Sequence, residues 1–109
     1  RFSCRYAMVG NDASNDNYYV FLVPDEGYSQ ISNLHDRLYR GMLEQFLRLD
    51  IPYVPHIAIA TNADARRIKA LCDELNSTGV AIHGRIDSMT VCSYDGSKIT
   101  DLETFPCRA

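Results

Sequence analysis

The 109-residue sequence lacks several features that would each point to a class of protein. It has no run near the roughly 20 apolar residues that a membrane-spanning helix needs. It also has no basic excess, since the net charge is −3 at pH 7, and this argues against broad nonspecific binding to nucleic acid. With 46% apolar and 23% charged residues, the composition predicts one soluble globular domain without a membrane partner.

Motifs for metal, phosphate and serine chemistry are absent as well. Cys4, Cys72, Cys92 and Cys107 form no C-x-x-C pair and no Cys/His spacing typical of zinc sites. We therefore expect reduced thiols in a cytoplasmic protein. There is no nucleophile elbow, no glycine-rich phosphate loop and no D-x-D cluster. We expect neither a metal nor a cofactor.

Apolar periodicity and turn residues predict the element order β-β-α-β-α-β-β-β. The predicted strands cover residues 2–9, 18–23, 54–60, 80–82, 86–94 and 98–105, and the predicted helices cover residues 29–47 and 63–76. Polar residues 10–17 form a loop that suggests an antiparallel first pair, and Asp95-Gly96 predicts a hairpin turn. This order indicates an α+β fold in which an antiparallel or mixed sheet packs with two helices.

Each helix shows one apolar stripe. In the first helix, Ser29 is the expected cap and the stripe comprises Ile31, Leu34, Leu38, Met42 and Phe46. In the second, Asn62 is the expected cap and the buried face comprises Ile68, Leu71, Cys72 and Leu75. Gly79 is a stop signal for this helix, and Arg66-Arg67 is interpreted as a solvated face.

The most informative segment is Val54-Pro55-His56-Ile57-Ala58-Ile59-Ala60. Period-two alternation places His56 and Ala58 on one face of a central strand, with Ile57 and Ile59 packed against helices on the other. Small neighbours leave room for a ligand beside the imidazole, the side chain that titrates nearest to neutral pH. A packed histidine with one hydrogen bond is the alternative.

Other side chains near this segment have simpler interpretations. Tyr53 could line the mouth beside His56 or serve as a hydrophobic anchor for the loop. His35 lies on the first predicted helix beside the apolar stripe and is expected to be a boundary residue, and His83 is expected at an exposed turn.

The segment P-H-I-A-I-A follows Tyr-Val-Phe-Leu-Val-Pro and the helical Leu34-His35-Asp36-Arg37-Leu38-Tyr39. Together with the tail through Leu102-Glu103-Thr104-Phe105-Pro106, this arrangement resembles the second half of the two-histidine (2H) phosphoesterase superfamily. That superfamily includes 2′-5′ RNA ligase-like proteins and cyclic nucleotide phosphodiesterases. The resemblance extends from about Tyr18 to Cys107 and implies part of a bilobal fold.

The resemblance also implies a chemistry. Members are expected to have two H-x-[ST]-x motifs on related lobes, which act on 2′,3′-cyclic or 2′-5′ phosphodiesters of RNA or nucleotides without metal. His56-Ile57-Ala58-Ile59 resembles the second motif, which makes His56 the catalytic acid or base. Ala58 and Tyr53 become the substrate-binding positions, although Ala58 replaces the expected hydroxyl residue.

The first motif is missing, since no other H-x-[ST]-x is present. The chain also begins at Arg1, directly before a predicted strand and with no lead-in. We therefore expect residues 1–109 to be an incomplete domain whose N-terminal remainder is its partner, and we expect the piece alone to be weak or inactive. A degenerate, noncatalytic lobe that binds a nucleotide or a protein is the alternative.

Overall fold

The computed structural model describes residues 1–12 and 15–107. Its elements follow the predicted order, with one additional 3₁₀ helix at Gly41–Phe46. The strands are β1 (Phe2–Asn11), β2 (Tyr18–Glu26), β3 (Ile57–Asn62), β4 (Ile82–Gly84), β5 (Ser88–Tyr94) and β6 (Ile99–Pro106). The helices are α1 (Tyr28–Leu38) and α2 (Ala65–Thr78). The α+β prediction is confirmed.

Four strands form an antiparallel sheet in the order β3-β2-β1-β4. The predicted antiparallel pairing of the first two strands is confirmed, and β1 extends to Asn11. Of the predicted loop between them, residues 13–14 lie outside the described residues. β5 and β6 form a separate two-stranded hairpin. Its predicted turn is confirmed: Gly96 has φ +99° and the Asp95 side chain accepts hydrogen bonds from the Ser97 and Lys98 backbone N–H groups.

The hydrophobic core lies between α2 and one face of the four-stranded sheet. Val20 and Leu22 of β2 are fully buried there, because alternate side chains of a strand share a face. From the helix, Ile68 and Cys72 complete the buried cluster, and Leu71 and Leu75 pack at its margin. The predicted apolar face of the second helix is therefore confirmed.

A side-chain amide joins α2 to β1. The Ala7 backbone N–H donates to Asn76 Oδ1 at 2.8 Å, and Asn76 Nδ2 donates to the Ala7 carbonyl at 2.8 Å. β4 pairs with β1 only at Phe2, Ser3 and Cys4, so the outer edge of β1 at Ala7 has no neighbouring strand among the described residues. The Asn76 side chain makes the two hydrogen bonds to Ala7 that the backbone of a neighbouring strand would otherwise make.

The helix α2 begins two residues later than predicted. Its cap is Asp64, whose carboxylate accepts from Arg66 N at 3.0 Å, and Asn62 instead accepts from Asp64 N at 2.7 Å. Asn and Asp are both common capping residues, and Asp64 is the cap because it directly precedes the first helical residue, Ala65. Gly79 ends the helix as predicted, with φ +88°.

The prediction for the first helix is wrong at both ends. Gly27, with φ +92°, precedes α1 in place of Ser29, and the helix ends at Leu38 instead of continuing to residue 47. Gly41 has φ +69°, which an α-helix cannot accommodate. As a result, Met42 and Phe46 are 82% and 62% exposed and do not extend a buried stripe.

The prediction for the histidine strand is also wrong in part. β3 starts at Ile57, one residue after His56, and lies at the edge of the sheet. Ile57 and Ile59 are 39% and 48% exposed and are not buried by the helices. The reason is tertiary: α2 packs mainly against β1, two strands away from β3.

Candidate functional site

A concave pocket of about 560 Å³ lies on the face of the sheet opposite α2. We call this side the open face. Its floor consists of the strand side chains that alternate with the core residues. The sheet contributes Met8, Gly10, Tyr19, Phe21 and Ala58. The wall comes from α1 and from the chain that leads into β3, through His35, Tyr39, Arg48, Ile51, Pro52, Tyr53, Val54 and His56.

His56 is exposed at the end of this wall, where the chain enters β3. Its Nδ1 donates to the Val54 carbonyl at 2.6 Å. A carbonyl oxygen can only accept, so Nδ1 holds the proton of the neutral ring. The lone pair is therefore on Nε2, which is free of the backbone contact. This exposure contradicts the alternative of a packed core histidine, although His56 does make the one hydrogen bond that the alternative included.

The imidazole of His56 rests on the ring of Phe21. The ring centroids are 3.7 Å apart and the planes differ by 12°. Phe21 is itself buried, and it sits so close to β1 that a Cβ at Gly10 would overlap its ring. Gly10 thus provides the space for Phe21, and Phe21 provides the platform that orients His56. Neither residue is singled out by the sequence, because this contact joins three different strands or strand ends.

Ala58 lies on the same floor, directly across from Phe21 in the β2–β3 ladder. The predicted shared face of His56 and Ala58 is therefore observed. The alternation then fails at a register shift: Val20 pairs with Ala60, and Ala60 packs against the helix-side core. A bulge inserts a residue and reverses the faces beyond it. The floor ends at Ala58, whose methyl group offers a ligand no hydrogen bond.

Tyr53 lines the pocket and stacks on His35, with centroids 3.8 Å apart and an interplanar angle of 12°. Burial raises the pKa of the Tyr53 phenol, so the hydroxyl stays protonated at neutral pH. The His35 side chain is only 17% exposed, and its Nδ1 lies 3.3 Å from Asp36 Oδ1. Tyr53 thus combines the two functions predicted as alternatives, since it lines the mouth and also anchors the loop.

The structure therefore brings His35 into the pocket beside His56, Ala58 and Tyr53. The sequence predicts His35 only as a boundary residue, since nothing in its helical spacing indicates which loop folds against it. Arg48 is a second pocket residue that the sequence gives no reason to select.

His83 is exposed as predicted, but it lies in β4, where its Nδ1 is 2.7 Å from Ser3 Oγ. Arg66 and Arg67 are exposed, as expected for a solvated face of the second helix, and they do not line the pocket.

Two absences characterise residues 1–12 and 15–107. Within these ranges, no three His, Cys, Asp or Glu side chains are grouped closely enough to hold a metal ion. Over the same ranges, no helix has both the length and the apolar character needed to cross a membrane.

The family model of the 2′-5′ RNA ligase superfamily matches residues 2–98, which include the sheet, both helices and the pocket. The chain belongs to the 2′-5′ RNA ligase superfamily. Membership in the 2H phosphoesterases, inferred from the segment around His56, is thereby confirmed. No curated protein and no solved structure shows significant similarity to the chain.

Within a 2′-5′ RNA ligase superfamily protein, the pocket on the open face is the candidate active site. It contains an exposed imidazole with a defined tautomer, an aromatic ring on which that imidazole stacks, and a wall with one arginine. Such a set can move one proton and contact an aromatic or anionic ligand.

Proposed function

We propose that this chain acts on 2′,3′-cyclic or 2′-5′ phosphodiesters of RNA or nucleotides, with His56 as a general acid or base. The observation that carries the proposal is the His56 ring itself. Its Nδ1 is fixed by the Val54 carbonyl at 2.6 Å, which leaves the basic Nε2 available beside a pocket. Membership in the 2′-5′ RNA ligase superfamily supports the substrate class.

The proton bookkeeping of such a reaction needs two groups. In hydrolysis of a cyclic phosphodiester, neutral Nε2 removes a proton from the attacking water as its oxygen bonds to phosphorus, and a second group protonates the oxygen that leaves. In the reverse assignment, the protonated ring of His56 donates to the leaving oxygen. One histidine performs one of these transfers in a given step, each typically worth about 10²–10⁴-fold in rate.

We further propose that the second histidine comes from an N-terminal remainder of the same protein, and that the complete enzyme is cytoplasmic and needs no cofactor. The sequence supports the need for a second histidine from elsewhere. Among the three histidines of residues 1–109, only His56 lies in a segment that resembles the H-x-[ST]-x motif. The 109 residues alone should then turn over a cyclic nucleotide weakly or not at all. A pair of His56 rings in a homodimer would be the exception.

The test is an assay on adenosine 2′,3′-cyclic monophosphate with the longest natural chain that contains these residues. His56→Ala should lower kcat by about 10²–10⁴-fold, whereas His83→Gln should leave it unchanged, because His83 lies outside the pocket. Equal rates for wild type and His56→Ala would contradict the proposal. With residues 1–109 alone, turnover that rises with the square of protein concentration would indicate the homodimer.

A noncatalytic lobe that binds a nucleotide or a protein is the second candidate. It is favoured by Ala58, since a methyl group replaces the hydroxyl that would hold a phosphate oxygen. Tight binding of the cyclic nucleotide by the longest natural chain, without any turnover, would support this candidate against the first.

A further inference from the structure

The pocket contains one permanent positive charge among its described lining residues. That charge belongs to Arg48, in the irregular stretch between the 3₁₀ helix and β3. The other ionisable lining groups are Asp12, His35, His56, Tyr19, Tyr39 and Tyr53. An anionic ligand at His56 would therefore find its fixed countercharge at Arg48.

The guanidinium of Arg48 is engaged at present by a carboxylate. Its Nε donates to Asp50 Oδ1 at 2.8 Å and its Nη2 donates to Asp50 Oδ2 at 2.6 Å. Asp50 does not belong to the pocket lining, whereas Arg48 does. Within this ion pair, which we call the rim ion pair, the arginine borders the pocket and the carboxylate lies outside the lining.

This pair is easily exchanged. Both side chains are exposed, at 60% and 63%, and exposed ion pairs contribute little net stability because water and salt screen them. The planar guanidinium that grips the two oxygens of Asp50 matches two oxygens of a phosphate equally well. Ala58, on the floor of the same pocket, offers a bound phosphate no hydroxyl group at that position.

We propose that Arg48 is the phosphate-binding residue of this pocket, and that Asp50 is a built-in competitor that the substrate phosphate displaces. The proposal deepens the proposed function, on which it rests for the identity of the ligand. Arg48, in the stretch before β3, would then bind the phosphate that the methyl group of Ala58 in β3 cannot bind. The ligand class is a phosphate ester or a free phosphate, and both should compete for the same guanidinium.

The experiment measures the Kd of inorganic phosphate and, separately, of adenosine 2′,3′-cyclic monophosphate by NMR titration of residues 1–109. Arg48→Gln should weaken both by about tenfold or more, the usual effect of losing a charge-assisted hydrogen bond. Asp50→Asn should tighten both by about two- to fivefold, because it removes the competing carboxylate. Arg48→Lys should fall between wild type and Arg48→Gln, since it retains charge without the two-pronged geometry.

Two controls separate binding from structure. Arg40→Gln removes an exposed arginine that does not line the pocket, and it should leave both Kd values unchanged. The double variant Arg48→Gln/Asp50→Asn should show no tightening relative to Arg48→Gln, because the carboxylate acts only through the arginine. Thermal melts of all variants should match wild type, as expected for an exposed pair.

Unchanged Kd values for Arg48→Gln, weaker binding by Asp50→Asn, or no phosphate binding by wild type would each overturn the proposal. Its failure is distinguishable from failure of the proposed function. If the variants shift phosphate binding as expected while the longest natural chain turns over no cyclic phosphodiester, Arg48 keeps its assignment and the catalytic assignment of His56 is lost.

Discussion

The two faces of the four-stranded sheet differ in what covers them. On the face toward α2, Val20 and Leu22 are sealed beneath Ile68 and Cys72. On the open face, the alternate residue of the same strand, Phe21, supports an exposed histidine. One strand therefore contributes to a closed core and to a site at the same time.

This difference separates the residues that stabilise the fold from those of the candidate site. Burial of apolar side chains against α2 supplies the free energy of folding. The open face retains an unfilled pocket with aromatic rings, two histidines and an arginine, which contribute less to folding. Substitutions on the two faces should therefore have separable effects.

The largest effect is expected on the helix face. Leu22 is fully buried, so Leu22→Ala removes its contacts and leaves a cavity, which should lower the free energy of unfolding by about 2–5 kcal/mol. Leu102 of β6 is 63% exposed, and Leu102→Ala should change it by less than about 0.5 kcal/mol. Urea denaturation followed by circular dichroism measures both. Similar losses would mean that the core is not concentrated under α2.

On the open face, Ala58→Thr should strengthen binding and leave stability nearly unchanged. A threonine hydroxyl on the pocket floor can donate to a phosphate oxygen, at best worth about 1.5–3 kcal/mol. Isothermal titration with adenosine 2′,3′-cyclic monophosphate measures the gain. Ala63→Thr, at an exposed position outside the pocket, is the matched control. No gain in an intact fold would mean that position 58 does not face the ligand.

A third substitution tests how packing within the open face affects both stability and the position of His56. Gly10→Ala places a methyl group against the Phe21 ring, and the forced shift should cost about 1–3 kcal/mol of stability. It should also displace the His56 ring, which NMR detects as altered ring-current shifts. The double variant Gly10→Ala/Phe21→Leu should recover stability, because leucine lacks the overlapping ring. A double variant no more stable than Gly10→Ala would contradict this packing.

The smallest effect is expected at the rim. Hydrogen bonds from Arg48 lower the pKa of Asp50 to about 2, so the carboxylate favours the folded state above its unfolded pKa of about 3.9. This contribution disappears as the pH falls through about 2, and it is small because both side chains are exposed. NMR titration should give a pKa of about 2 for Asp50 in the wild type and a pKa closer to the ordinary value of 3.8 in Arg48→Gln.

The matched control for the rim is Arg5→Gln. Arg5 hydrogen-bonds to Asp25 and lowers the pKa of that carboxyl. The variant should therefore raise the pKa of Asp25 and leave Asp50 unaffected. An Asp50 titration that does not respond to Arg48→Gln would disprove the rim ion pair in solution.

The sequence by itself determined the element order, the buried face of α2 and the hairpin turn, and it made His56 the candidate catalytic residue. These depend on local periodicity and on turn residues, which act over a few positions. The helix end at Gly79 and the turn at Asp95-Gly96 were predictable for the same reason. Gly79 and Gly96 adopt a left-handed backbone, and Asp95 accepts hydrogen bonds from backbone N–H groups of the turn. Family membership also followed from the short segment around His56.

Only the tertiary structure decided how the pocket is assembled. His35 meets Tyr53, and Gly10 makes room for Phe21, through contacts between residues that are distant in the sequence and whose spacing has no period. The exposure of Ile57 and Ile59 is likewise tertiary. Burial requires a partner surface, and α2 covers β1 while β3 remains at the edge of the sheet. An apolar pattern indicates which side chains can be buried, whereas the arrangement of the elements decides which of them are.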